Sequence, residues 1–238
     1  ESYNGTNWTE VNDLNTARTQ LAGAGTQTAA LAFGGYFYPN PTPPVFIQVA
    51  NTESWNGTNW TEVNDLNTAR YRLAAAGTQT AALAFGGFPG PTGATETWNG
   101  TNWTEVNDLN TARSHLAGVG ATNTAALAFG GTPTTGATES YNGTNWTEVN
   151  DLNTARQQLA GAGTQTAALG FGGGPPGTGA TESWNGTNWT EVNDLNTARR
   201  GLAGAGTQAA ALAFGGFPTT AATEEFGETG GIVTITTS

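Results

Sequence analysis

A turn-rich all-β fold built from repeated units is what this sequence predicts, and three observations predict it. First, the block E-x-[YW]-N-G-T-N-W-T-E-V-N-D-L-N-T-A-R starts at Glu1, Glu53, Glu96, Glu139 and Glu182, with a degenerate sixth start at Glu224. Second, each full copy is followed by L-A-G-A-G-T-Q-T-A-A-L-A-F-G-G or a close variant. Third, the 238 residues include 35 glycines and many Thr and Asn, a composition that suits short strands and tight turns rather than helices. Four-strand units of about 40–50 residues, repeated radially, make a β-propeller. Five complete inner pairs imply five four-stranded antiparallel blades in a single domain over 1–238, with a closing segment at 224–238.

Each unit reads as four strands in order. The first lies around x-x-L-A-G-A-G, where alanine and glycine suit a place at which backbones crowd together. The second, T-A-A-L-A-F-G-G, is an apolar run short enough for a buried strand. The third, A-T-E-S-W, and the fourth, N-W-T-E-V, alternate apolar and polar residues. Between them Asn-Gly, as in Asn56–Gly57, is the strongest two-residue hairpin signal, since a type I′ turn wants φ > 0 at both central positions.

Both ends of the chain, E-S-Y-N-G-T-N-W-T-E-V and E-E-F-G-E-T-G-G-I-V-T-I-T-T-S, resemble third and fourth strands. That makes six outer pairs for five inner ones. The expectation is that the termini meet in one blade, share its outer strands and close the ring. The insertion between Gly35 and Glu53 is about nine residues longer than its counterparts, and an extra ribbon through Val45–Val49 is expected there.

The diglycine after an apolar strand, the aromatic at Trp55, the tryptophan at Trp60 and the arginine at Arg70 together resemble the kelch motif, and this resemblance recurs five times along nearly the whole chain. It implies a β-propeller, a family in which more than five blades are usual. It also implies a common ligand-binding face that includes positions just after the motif arginine. Arrays this repetitive resemble bacteriophage and environmental bacterial kelch-like proteins, which implies an extracellular or virion-associated setting.

The differences among the copies are not scattered. One variable set is the pair after each motif arginine: Thr19–Gln20, Tyr71–Arg72, Ser114–His115, Gln157–Gln158 and Arg200–Gly201. The other is the segment after each diglycine, beginning Tyr36–Phe37–Tyr38, Phe88, Thr132, Gly174 and Phe217. In an up-and-down blade, loops alternate between two faces. The loop entering the first strand and the loop joining the second to the third therefore share a face. The opposite face carries invariant N-G-T hairpins and nearly invariant G-T-Q turns. Divergence confined to one face is the pattern of a contact surface on a rigid scaffold. The candidate ligand-binding residues are Gln20, Tyr71, Arg72, Ser114, His115, Gln157, Gln158 and Arg200, with Tyr36, Tyr38, Phe88 and Phe217 nearby. Aromatic faces beside amides and guanidinium groups suit a sugar ring, or a peptide carboxylate met by an arginine fork. No two blades share a pair, so one asymmetric ligand is expected rather than five equivalent pockets.

Composition narrows the chemistry. All seven positive charges are arginines and the net charge is −11, which argues against nucleic acid or an anionic membrane surface as partner. No run of about 18 apolar residues is present, so no membrane-spanning helix is expected, and no charged-then-apolar leader opens the chain. It starts inside a repeat without a methionine, which reads as a fragment or a processed product. With one histidine, no cysteine and no lysine, catalysis has few candidate groups. A galactose-oxidase-type tyrosine–cysteine cofactor is excluded by the same count. No cofactor and no metal are expected. The N-D-x-N aspartates, Asp13, Asp65, Asp108, Asp151 and Asp194, could in principle hold Ca²⁺ but read better as turn caps. The motif arginines read as bridges between blades, and Trp8, Trp60, Trp103, Trp146 and Trp189 as blade packing.

The function expected is non-enzymatic recognition of a glycan or protein by a domain that is monomeric, through the diversified face. The alternative is a purely structural propeller, a spacer or assembly unit of a larger virion or surface protein.

Overall fold

The computed structural model describes residues 1–40, 45–218, 221–227 and 232–235. Parts of the variable segments after Gly35 and Gly216, and of the closing segment, lie outside them. Five four-stranded antiparallel sheets are arranged as a β-propeller, each strand hydrogen-bonded to the next from the inside outward. Blade 1 is β3 (Ala22–Thr26), β4 (Ala29–Phe33), β7 (Thr52–Trp55) and β8 (Trp60–Val63). Blade 2 is β9 (Ala74–Thr78), β10 (Ala81–Phe85), β11 (Thr95–Trp98) and β12 (Trp103–Val106). Blade 3 is β13 (Ala117–Thr122), β14 (Ala125–Phe129), β15 (Thr138–Tyr141) and β16 (Trp146–Val149). Blade 4 is β17 (Ala160–Gly163), β18 (Ala168–Phe171), β19 (Thr181–Trp184) and β20 (Trp189–Val192). Blade 5 is β21 (Ala203–Gly206), β22 (Ala211–Phe214), β23 (Thr223–Phe226) and β24 (Ile232–Ile235).

The first strands face the axis. Their glycines and alanines, from Gly23–Gly25 round to Gly204–Gly206, line a central channel of about 180 Å³. Small residues are required because neighbouring blades touch there. A Cβ at Gly118 would lie 2.5 Å from the Phe85 ring, and one at Gly161 would lie 2.7 Å from Phe129. Between blades lie four apolar clusters, each joining the aromatic outer strands of one blade to the alanine-rich inner strands of its neighbour. Trp146, for example, packs its ring 4.9 Å from Phe85 of the preceding blade and donates its indole N–H to Thr95 at 3.1 Å.

The arginines bridge blades as the repeat suggests. Arg70 accepts the amide of Gly35 in blade 1 at its carbonyl, 2.8 Å, while its guanidinium meets Glu96 of blade 2 at 2.9 Å. The same buried pair recurs as Arg18–Glu53, Arg113–Glu139, Arg156–Glu182 and Arg199–Glu224, at 2.7–3.2 Å. The aspartates are engaged with amides, though not inside a tight turn. Asp65, Asp108, Asp151 and Asp194 each accept the N–H of their blade's third-strand threonine, 3.0–3.1 Å away.

Two expectations are corrected. The Asn-Gly hairpin is a four-residue loop rather than a type I′ turn, because Trp55 pairs with Trp60 across Asn56–Asn59. Only the glycine takes positive φ, 91° at Gly57, while the Asn56 side chain accepts the amides of Thr58 and Asn59 at 2.9 Å. The termini do meet, but they do not share a blade. Blade 5 takes both outer strands from the C-terminal segment, and the N-terminal β1 (Ser2–Tyr3) and β2 (Trp8–Thr9) form their own two-stranded sheet beside it. Contact at this seam comes from Trp8, which packs 5.0 Å from Phe214 and donates to Thr223 at 3.1 Å. The expected extra ribbon is present as β5 (Tyr36–Asn40) paired with β6 (Val45–Gln48).

Candidate binding face at the channel mouth

The two variable sets are hydrogen-bonded to each other. Thr19 exchanges backbone bonds with Tyr36, Tyr71 with Phe88, Ser114 with Thr132 and Arg200 with Phe217, at 2.7–3.2 Å, and Gly174 donates to Gln157 at 3.0 Å. Loop geometry therefore places both sets on one face.

Within each pair the two residues have different fates. The second residue of every pair turns into the left-handed region, with φ of 55° at Gln20, 57° at Arg72, 52° at His115, 57° at Gln158 and 61° at Gly201. That turn lets the backbones link blade to blade in a belt around the axis. Arg72 donates to the Gln20 carbonyl, His115 to Arg72, Gln158 to His115 and Gly201 to Gln158, at 2.8–3.0 Å. These five residues and the leucines beneath them line a cavity of about 420 Å³ at the channel mouth. Arg72 Nε donates to Gln20 Oε1 at 2.5 Å and aligns two of the side chains.

The first residues of the pairs differ in placement: Thr19 is exposed and joins the cavity lining, while Tyr71 and Ser114 are turned into the face. Tyr71 is 5% exposed and Ser114 is 1% exposed, so neither offers an open surface in this structure, contrary to the expectation that both contact a ligand. Tyr71 instead anchors an aromatic cluster, with Tyr36 at 5.1 Å, Phe88 at 5.2 Å and Phe46 at 5.7 Å. Tyr38 stands at its outer edge, 5.5 Å from Tyr36. Across the ring Arg200 lies over the Phe217 ring at 4.7 Å. Gln157 lies aside from the mouth, accepting from the Thr132 hydroxyl and donating to Thr134 at 3.1 Å. Phe46 joins the aromatic wall unforeseen, because it comes from the ribbon insertion, which has no counterpart in the other repeats. Of the named residues, the structure gathers Gln20, Arg72, His115 and Gln158 at the centre. It sets Tyr36, Tyr38 and Phe88 on the blade 1–2 flank and Arg200 with Phe217 on the blade 5 flank.

His115 reports on this site. Burial, and secondarily the charge of Arg72, hold its pKa down at about 4. The imidazole is therefore neutral at pH 7. Since the folded pKa lies below the ordinary 6.5, the stability this group contributes is complete above pH 6.5 and is lost as pH falls toward 4. The only histidine in the chain should show an NMR titration midpoint near pH 4, and Arg72→Gly should raise it. A midpoint at the ordinary value would mean the ring is solvated and free of Arg72.

The opposite face owes its constancy to contacts between blades. Gln79 of the G-T-Q turn donates to Ser54 Oγ at 3.0 Å and to the Trp55 carbonyl at 2.5 Å in the preceding blade. Asn64 donates to Asn102 Oδ1 at 2.8 Å in the following one. Asn123 replaces this glutamine in blade 3 and still reaches Thr97 and Trp98. These clasps were not read from the sequence, and the signal for them was there: a side-chain amide present in this turn in every copy.

Fold and site together define a repeat β-propeller with a conserved clasp face and a diversified channel mouth. No protein-family model matches the chain, and no curated protein matches it.

Proposed function

We propose that the protein is a non-enzymatic recognition module of kelch-type architecture, and that its channel mouth binds a single asymmetric polar ligand, a glycan in the first instance. The observation that carries this reading is the left-handed backbone at the variable positions. A side chain in that region costs about 1–2 kcal/mol relative to ordinary backbone, and glycine escapes the cost. Blade 5 has glycine there, yet four blades hold Gln20, Arg72, His115 and Gln158, three different residue types at one strained position. Strain retained at a diversified position is a mark of use rather than of packing. The neighbouring aromatic wall supplies stacking surface, and the amides and guanidinium supply hydrogen bonds to hydroxyls or a carboxylate. The non-enzymatic reading draws support from the carboxylates, since Glu53, Glu96, Glu139, Glu182 and Glu224 and four of the aspartates are held by arginines and amides.

The test is a glycan array probed with the parent and with the four-glycine variant Gln20→Gly, Arg72→Gly, His115→Gly, Gln158→Gly. Glycine fits positive φ, so the variant should keep its β circular dichroism and melt within a few degrees of the parent. Binding by the parent alone is the expected result. Equal binding by both would move the ligand off the mouth, and silence from both would favour the purely structural propeller.

A further inference from the structure

The seven arginines fall into two groups. Five are the repeat arginines, each buried against its glutamate. Arg72 and Arg200 stand at variable positions instead, and neither meets a carboxylate among the described residues. Arg200 is laid over the Phe217 ring on the blade 5 flank. Arg72 is the one charged residue that lines the mouth cavity among the described residues, where no Asp or Glu is found. The fourth-strand carboxylates, Glu62, Glu105, Glu148 and Glu191, are exposed on the outermost strands of their blades. In a chain of net charge −11 the mouth is therefore a local positive site. A concave protein wall focuses such a field, so an anion approaching this face is drawn to the mouth.

The Arg72 guanidinium is held in place by the protein itself. Its Nε donates to Gln20 Oε1, and its Cζ lies 5.3 Å from the centre of the Tyr71 ring. Tyr71 is fixed in turn by Tyr36, Phe88 and Phe46. These contacts use Nε and one face of the group. The two terminal amino groups have no partner among the described residues. They form an end-on fork that matches both oxygens of a carboxylate. His115 supplies the opposite chemistry. The one hydroxyl proton of Thr132 goes to Gln157 Oε1, so Thr132 Oγ1 accepts from His115 Nδ1, 3.3 Å away. Ser114 Oγ, at 3.5 Å from the same nitrogen, adds only a weak contact. The neutral ring thus carries its proton on Nδ1 and leaves Nε2 as an acceptor, without a partner among the described residues. Such an acceptor repels a carboxylate and takes the proton of a hydroxyl. Gln158 follows in the next blade, with a side-chain amide that donates or accepts.

We propose that the mouth recognises a carboxylated sugar of the uronic- or sialic-acid type, with its carboxylate on the Arg72 fork and a hydroxyl on His115 Nε2. The assignment rests on the proposed glycan recognition and narrows it to an acidic class. A cavity of about 420 Å³ is the size of a small-molecule pocket, which suits the acidic end of a glycan rather than the middle of a long chain. The protein's own charge selects further. A polyanion would bring the rest of its charge against the exposed outer-strand glutamates, whereas a single carboxylate meets only Arg72. The fork is also flat and fixed, and so favours a planar carboxylate over a tetrahedral sulfate.

The experiment is calorimetry of the full chain at pH 7 with the methyl glycosides of N-acetylneuraminic acid and glucuronic acid, and with the uncharged carboxamide of each. The parent should bind at least one acid about tenfold or more tightly than its amide, the worth of a charge-assisted fork. Arg72→Gln should abolish that preference and leave the affinity for the amide within about twofold. Glutamine already occupies this left-handed position as Gln20 and Gln158, so the variant should fold, and unchanged circular dichroism checks it. Equal binding of acid and amide by the parent, lost in the four-glycine variant, overturns the carboxylate assignment and leaves glycan recognition standing. Binding of none of the four sugars overturns both. A preference that survives Arg72→Gln overturns the assignment too. So does tighter binding of glucose 6-sulfate or of a tetraglutamate peptide than of either acid, which would give the fork to a sulfated glycan or to an acidic protein segment.

Discussion

Arg113→Ala should lower the unfolding free energy by about 3–5 kcal/mol, the usual loss when one partner of a buried ion pair is removed. The Arg113 guanidinium is fully buried and donates to Glu139 at 2.8 Å, to the Gly130 carbonyl at 2.9 Å and to the Ala137 carbonyl at 2.5 Å. Its removal leaves the Glu139 carboxylate in the protein interior with only Asn110 and Thr111 as donors. Two carbonyls lose their side-chain partner at the same time, so the penalty comes from desolvated acceptors more than from lost attraction. Glu139→Gln keeps the shape and an oxygen for the Asn110 amide, and should cost less than the arginine deletion. Urea unfolding of both variants at pH 7 measures the difference. A loss below about 1 kcal/mol for Arg113→Ala would show that the pair is solvated in practice, like a surface bridge.

Trp146→Ala should cost a similar amount, about 3–5 kcal/mol, since a buried aromatic leaves both a transfer term and a cavity. Its ring fills the cluster between blades 2 and 3, packed with Phe85, Tyr141 and Leu116, and its N–H satisfies the buried Thr95 hydroxyl. The same substitution at Trp60 should cost well under half as much, because that ring is half-buried and has no preceding phenylalanine to lose. Identical repeats thus carry unequal energies by position, as expected when stability is a sum over blades and their interfaces. Equal costs at the two tryptophans would mean that the seam is as tightly packed as the other interfaces.

Most of the architecture was legible in the sequence because its determinants are local and repeated. The alternation in N-W-T-E-V, the short apolar run A-A-L-A-F and the small residues of L-A-G-A-G each specify a strand and its environment. Five copies at near-constant spacing leave little choice but radial repetition. Placement of both variable sets on one face followed from strand alternation alone. The strands did not reveal which member of each pair faces solvent. That depends on the left-handed turn at Gln20, Arg72, His115 and Gln158, a conformation imposed by the belt of bonds between blades and invisible in residue types that do not favour it. For the same reason Tyr71 read as a platform and proved to be a packing residue.

The sequence by itself determined the blade, its strand order and the face on which the copies diverge, because each depends on residues within one repeat or its immediate successor. Tertiary structure alone decided how the ends meet. Both terminal segments have the propensity for outer strands, so nothing local distinguishes sharing one blade from standing in two. What separates the outcomes is packing across the seam: Trp8 finds Phe214 and Thr223, Gln27 finds Ser2, and β24 claims the outer edge of blade 5. The Trp8 contacts join residues more than two hundred positions apart, and no window of sequence contains them.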